Sequence, residues 1–146
     1  MALHIRDFRE ADRHHVLGLW EICALTRPWN MPDGDIDRAI HSREATLLVG
    51  LESGQVIATV MVGHDGHRGW VYYLAVAPDH QNRGRAREML AEAELWRTMR
   101  KIPKVQLMVR TDKPETGRVY EALGYERQPV SVFGKWLRDG DPDAGG

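Results

Sequence analysis

The segment Y73-LAVAPDHQNRGRAREMLAEA-E94 decides how this chain is read. An apolar run stops at Pro78, and a helical pattern then opens on Arg83, Gly84, Arg85, Ala86 and Arg87. The first turn of a helix carries backbone N–H groups without intrahelical acceptors and the positive end of the helix dipole. Gly84 lets a ligand approach the backbone, and Gln81, Asn82 and three arginines surround it with donors. Such a turn suits an anion, and a pyrophosphate fits it. The plainer alternative is a turn ended by glycine with solvated arginines. The pattern is neither GxxxxGK[ST] nor GxGxxG, which disfavours a P-loop nucleotidase and a Rossmann dehydrogenase.

Working outward, "WVYYLAV" over 70–76 is apolar on both faces and reads as a central strand. Ala86, Met89, Leu90, Ala93, Trp96 and Met99 recur at helical spacing over 83–100, and "KVQLMVR" over 104–110 is the next strand. These form a β-α-β crossover, expected to be right-handed. Upstream, "LHIRDF" is a first strand, Asp7 or Asp12 can cap a helix over 11–25, and a short helix falls near 34–42. "TLLVGLESGQVIATVMVGH" reads as an antiparallel hairpin turning at Ser53-Gly54. Downstream, Pro114 suits the start of a helix that Gly124 ends, and "VSVFGKWL" is a last strand. The order is β-α-α-β-β-β-α-β-α-β, a mixed α/β chain. One domain is expected over 1–137, followed by a disordered tail, "RDGDPDAGG", over 138–146.

The totals narrow the function. The chain has 146 residues, 42% of them apolar and 28% charged, with a formal net charge of −1. No overall field draws it to nucleic acid or to an acidic membrane. No apolar run approaches the ~18 residues of a membrane span. The first residues lack a signal-peptide core, so a cytoplasmic location is expected. The single cysteine, Cys23, lies on the apolar stripe of the first helix and reads as a core thiol rather than a nucleophile. His64 and His67 have no third partner in sequence, so no metal is expected.

Gln81 to Ala86 match the [Q/R]-x-x-G-x-[G/A] loop of the GCN5-related N-acetyltransferases, the GNAT superfamily, which this chain resembles up to about Leu137. "VYEALGYE", Val119 to Glu126, is similar to the superfamily's second signature. "LTRPWN", "DGHRG", "YYLAV" and "LGYE" further resemble the bacterial YpeA-type acetyltransferases. The resemblance implies a mixed, mostly antiparallel sheet of six to seven strands flanked by about four helices. It also implies a splay between the strands near 70–76 and 104–110. Acetyl-CoA would be the cosubstrate and an amine, small or on a protein, the acceptor. The pantetheine arm would bond the backbone of Leu74, Ala75 and Val76, and the pyrophosphate would meet Gln81 to Arg87. A homodimer is an admissible assembly.

Tyr120 matches the superfamily tyrosine that faces the coenzyme sulfur, which makes it the candidate general acid. Packing beside Leu123 is its alternative role. Many relatives carry a glutamate on the central strand, but "WVYYLAV" holds no carboxylate. The base would then be water or one of Glu21, Asp33, Asp35, His64 and His67. Trp29, Asn30 and Asp33 offer an aromatic surface beside a carboxylate for the acceptor, with Glu21 and His67 as further candidates. Trp29 covering the sheet edge is the alternative. The chain departs from the superfamily at Lys113, where asparagine often contacts pantetheine, and at Thr116, where alanine is usual. Lys113 is left to meet a phosphate or to face water. A non-catalytic acyl-CoA-binding sensor is the competing reading of the whole.

Overall fold

The computed structural model describes residues 3–137, so the expected tail over 138–146 lies outside the described residues. By backbone proximity the chain divides into two compact units. One holds the residues up to Arg27 together with Met31–Leu107; the other holds Pro28–Asn30 with the residues from Met108 on. The larger unit contains β1 (His4–Asp7), α1 (Arg13–Ile22), α2 (Pro32–His41), β2 (Ala45–Glu52), β3 (Gln55–His64), β4 (Gly69–Val76), α3 (Arg85–Thr98) and β5 (Val105–Leu107). Single 3-10 turns lead into α1 at Glu10–Asp12 and follow β4 at Pro78–His80. The smaller unit contains α4 (Pro114–Ala122).

The strands lie in sequence order, β1-β2-β3-β4-β5. The first three pairings are antiparallel and β4–β5 is parallel, as a crossover through α3 requires. The β2–β3 hairpin closes as its sequence predicts. Ser53 and Gly54 take φ of 53° and 78°, the two left-handed positions of a type I′ turn.

Helices cover both faces of the sheet, which is why Leu47, Leu48, Val49 and Gly50 of β2 are buried in succession. Alternation divides them. Leu47 and Val49 join Val16, Leu19 and Trp20 of α1, Ile36 of α2 and Ala75 of β4 in one core. Gly50 faces α3, where a Cβ would come within 2.8 Å of the Met89 sulfur. The α3 side is filled by Met89, Leu90 and Ala93, all buried. Asp12 ties β1 to α1: its carboxylate accepts the Arg9 N–H at 2.8 Å and two Arg6 N–H bonds at 2.8 and 3.1 Å. The Arg6 hydrogen bond holds the Asp12 carboxyl below its ordinary pKa, against the effect of burial.

Five expectations are corrected. Among the described residues the sheet has five strands, not six to seven. "VSVFGKWL" forms no strand among the described residues: a strand exists only through its ladder, and Phe133 and Leu137 are 93% and 89% exposed. The β5 ladder covers three residues rather than the run 104–110. β4 is not buried on both faces throughout, because Tyr72 is 45% exposed. The helices expected over 11–25 and 83–100 are shorter, ending at Ile22 and Thr98. Among the described residues no helix is long and apolar enough to cross a membrane.

Gly69, the first residue of β4, lies under the buried Arg97 of α3, and a Cβ there would fall 1.9 Å from Arg97 Cδ. Gly69→Ala is therefore expected to lower unfolding free energy by about 1–3 kcal/mol, the usual cost of overpacking a core. Urea denaturation followed by far-UV circular dichroism checks this.

Candidate active site

The parallel pairing of β4 with β5 stops at Val71↔Leu107. Among the described residues no strand pairs with 72–76 on that side, although β4 runs on to Val76. On its other side β4 pairs with β3, but the register shifts: Thr59 faces Ala75 and Met61 faces Tyr72. Tyr73 and Leu74 therefore oppose Val60 alone, which is a β-bulge. Tyr73 takes φ of 53°, a left-handed conformation that costs an L-residue about 1–2 kcal/mol. A bulge bends its strand and re-aims the backbone beyond it.

Side chains from three elements hold Tyr73. Its ring stacks on Trp20 of α1 with centroids 3.8 Å apart and planes 12° from parallel. Its hydroxyl donates to Asp35 Oδ2 of α2 at 2.6 Å. Its carbonyl accepts the Thr59 hydroxyl of β3 at 2.8 Å, and Thr59 Oγ1 in turn accepts the Trp20 indole N–H at 2.9 Å. Trp20 and Thr59 are wholly buried. Burial first, then the bond to the Asp35 carboxylate, raise the Tyr73 pKa and keep the phenol a donor. Asp35 is further ion-paired to Arg38.

The end of β4 leads directly into the glycine turn. The Ala77 N–H donates to the Ile57 carbonyl on the β3 side. Backbone groups alternate sides along a strand, so the N–H and C=O of Val76 face away from β3, toward the open side. The Val76 carbonyl is taken by the Gln81 side-chain amide at 3.0 Å and by the Cys23 thiol at 3.4 Å. Burial raises the Cys23 pKa, which keeps that thiol protonated, so it is a structural donor.

Gly84 caps α3 in the left-handed region, φ 77°, and space is open where its Cβ would stand. The first bond of the helix runs from the Glu88 N–H to the Gly84 carbonyl. The N–H groups of Arg85, Ala86 and Arg87 precede that ladder, and no side chain caps them. Asn82, Arg83 and Arg87 are exposed around the turn. Arg85 behaves differently and corrects the expectation of a fourth outward donor. Its guanidinium is buried, bonded to Glu88 at 2.8 Å and to Glu52 at 3.0 Å. Only its backbone N–H stays at the helix start. Burial opposes the charge on Glu52, but Arg85 and then His80 hold its carboxyl below the ordinary pKa.

The remaining candidates belong to both units and are described in each by itself. Glu21 and Asp33 line one open depression of about 430 Å³ with Leu17, Thr26, Met31, Pro32 and Gly34. Asp33 is paired there with Arg13 at 2.9 Å, and Arg13 also binds Glu10 and Asp37. Trp29 and Asn30 group instead with the residues from 108 on, where Arg110 lies 5.9 Å over the Trp29 ring. Tyr120 is on α4 in that same unit, half-buried, with Tyr125 edge-on at 5.9 Å. Burial raises its pKa above the ordinary value.

His67 belongs to the turn that leads into the central strand. It sits in the exposed loop before β4, where Asp65 accepts the N–H groups of His67 and Arg68 at 2.9 and 2.8 Å. His64 ends β3 with its Nδ1 accepting the Gly66 N–H at 3.0 Å. The sequence reading missed Tyr73 and Thr59. The one hint was a threonine inside the otherwise apolar run "VIATVMV" of β3.

A mixed sheet with a bulged fourth strand that runs into a glycine-led helix is an architecture shared with acetyltransferases of known structure. Residues 10–125 match the Acetyltransferase (GNAT) family. The acetyltransferase YE1169 of Yersinia enterocolitica is 42% identical over 135 residues, covering 92% of this chain and 96% of its own. The acetyltransferase SG1711 of Sodalis glossinidius is 43% identical over 136 residues, with the same coverage of 92% and 96%. Among solved structures, AAC(6′)-Iy in complex with a CoA-containing bisubstrate analogue has a TM-score of 0.79 at 15% identity, covering 94% of this chain and 100% of that one. The chain belongs to the GNAT acetyltransferase family, whose acetyl donor is acetyl-CoA.

Proposed function

We propose that this chain transfers the acetyl group of acetyl-CoA to the nitrogen of a primary amine, on a small molecule or a protein. The observation that carries the reading is the unpaired side of β4 at 72–76, which leads into the uncapped N–H groups of Arg85, Ala86 and Arg87. The pyrophosphate lies on those N–H groups and on Gly84, with the side chains of Asn82, Arg83 and Arg87 beside it. Gln81 acts by fixing the Val76 carbonyl rather than by meeting the phosphates. The pantetheine arm follows Leu74, Ala75 and Val76 and takes the backbone place of a strand. A backbone N–H just past the bulge polarises the thioester carbonyl.

In the transfer, the amine lone pair attacks the thioester carbon and the C–S bond breaks. Tyr120 gives its phenolic proton to the departing thiolate. The surplus proton on nitrogen leaves to water, and Tyr120 regains one from solvent. The role of Tyr120 rests on its match to the family signature and on burial, which keeps the hydroxyl protonated. Glu21 and Asp33, and separately Trp29 and Asn30, are the groups proposed to meet the acceptor.

The reading is tested by the release of free thiol from acetyl-CoA across a panel of amines. Acetylated product from at least one amine supports it. Tight acetyl-CoA binding with no turnover on any amine favours a sensor instead.

Gly84→Glu is expected to abolish acetyl-CoA binding in calorimetry while the far-UV spectrum stays unchanged. The carboxylate repels the phosphates, and the open space at its Cβ leaves the packing undisturbed. Unchanged affinity would remove the pyrophosphate from this turn.

Tyr120→Phe is expected to lower kcat by about 10²–10⁴-fold, the usual worth of a general acid, with acetyl-CoA affinity little changed. Because the Tyr120 pKa lies above its ordinary value of 10.0, the acid stays loaded throughout neutral and mildly alkaline pH. In the parent protein kcat/KM should therefore rise with pH until the acceptor amine is itself neutral. A plateau beginning near pH 6–7, removed by Glu21→Gln, would show a protein base instead.

A further inference from the structure

Tyr73, Asp35, Thr59 and Trp20 together form a device that the family signatures do not describe. The four belong to β4, α2, β3 and α1, and they meet at the single residue of β4 with a left-handed backbone. We propose that the Asp35–Tyr73 hydrogen bond and the Thr59 hydroxyl form a positioning latch. The latch holds the β4 bulge and so aims the backbone beyond it at the thioester carbonyl. The inference rests on the proposal that acetyl transfer takes place along the open side of β4.

The geometry supports a latch rather than simple packing. Packing alone would be met by the Tyr73–Trp20 stack. The structure adds a bond at each end of the same residue: Tyr73 hydroxyl to Asp35 at 2.6 Å and Tyr73 carbonyl to Thr59 at 2.8 Å. The second bond satisfies a carbonyl taken out of the regular ladder by the register shift between Thr59 and Met61. A residue in a disfavoured backbone conformation persists only when its surroundings over-determine it, and these surroundings do. An oxyanion donor works only if it is fixed in place before the charge develops.

Asp35 is here a positioning residue and not the base. One of its oxygens holds the Tyr73 hydroxyl and the other is ion-paired to Arg38. The charged and titratable groups facing it are thus Tyr73 from β4 and Arg38 from its own helix. A base would also have to pass its proton on through that arrangement.

The test compares Tyr73→Phe, Asp35→Ala, their combination, and Asp35→Asn. Tyr73→Phe keeps the ring and its stack on Trp20. Asp35→Asn keeps an acceptor oxygen. The latch predicts a fall in kcat of about ten- to a hundredfold for Tyr73→Phe and for Asp35→Ala, since small misplacements at a reacting centre have effects of that size. The double variant should be no worse than either single one, Asp35→Asn should recover most of the rate, and KM for acetyl-CoA and the thermal midpoint should hold.

The pH profile should keep its shape in every variant. A profile whose acid limb vanishes with Asp35→Ala, but not with Tyr73→Phe, would overturn the latch and make Asp35 the base. Isotope-edited infrared spectroscopy of bound acetyl-CoA, labelled at the thioester carbonyl, reads polarisation without turnover. The carbonyl band should shift downward in the parent protein and return toward its free position in Tyr73→Phe. If Asp35→Ala proves unfolded, Tyr73→Phe and Asp35→Asn carry the test. Normal rates with an unchanged band in the variants overturn the latch while leaving acetyl transfer intact. A shifted band in a parent protein that acetylates no amine overturns the transfer reading while leaving the latch intact. An unshifted band in the parent protein overturns the latch.

Discussion

A hydroxyl buried beneath α1 has two partners: Thr59 Oγ1 accepts the indole N–H of Trp20 and donates its proton to the carbonyl of Tyr73. Each partner would otherwise be a polar group buried without a bond, at a cost of about 1–3 kcal/mol. The hydroxyl therefore lets a tryptophan pack on the sheet where the sheet is irregular. β4 carries a register shift toward β3, and its ladder with β5 ends at Val71. In the function proposed above the extended arm of coenzyme follows this segment, whose bulge the core tolerates because Thr59 satisfies it.

The arginines of the turn after β4 divide into two kinds. Arg83 and Arg87 stay exposed beside the free N–H groups, where their charge adds to the helix dipole. Arg85 turns inward and joins the helix start to Glu52, at the end of β2 beside the hairpin turn. A glycine-led helix start carries little rigidity of its own, since Gly84 adds no side chain to the packing. The Arg85–Glu52–Glu88 cluster fastens that start to the sheet, and Gln81 fastens the turn to the Val76 carbonyl. The surface proposed above for the pyrophosphate is thus backbone, and the side chains nearest it serve partly to hold that backbone still.

The two ends of β4 carry different features. Its first residue is a glycine because Arg97 crosses above it, and its loop is stiffened by Asp65, whose carboxyl is held down to about 2 by the N–H groups of Arg68 and His67 and the indole of Trp70. Its last residues carry the bulge and the unpaired backbone. His64 and His67 belong to the first end, where Asp65 and the His64 ring hold the backbone of the turn.

The sequence alone determined the order of elements from β1 to α4, the hairpin at Ser53-Gly54, the parallel crossover and the glycine-led helix start. Each of these is written in local patterns: apolar periodicity, a turn that needs positive φ, and a glycine placed where a helix begins. It also carried the family, through Gln81 to Ala86 and the segment from Val119 to Glu126. The tertiary structure decided what depends on neighbours. Whether "VSVFGKWL" is a strand depends on a ladder that composition does not reveal, and Val132 and Phe133 form none among the described residues. Whether Arg85 faces a ligand or an acid depends on where Glu52 lies, 33 residues away in sequence. The bulge at Tyr73 has no local signature, because two adjacent tyrosines in an apolar run fit a regular strand equally well. Their irregularity is produced by Trp20, Asp35 and Thr59, which come from three separate elements, and a contact between distant segments can be read only once the chain has folded.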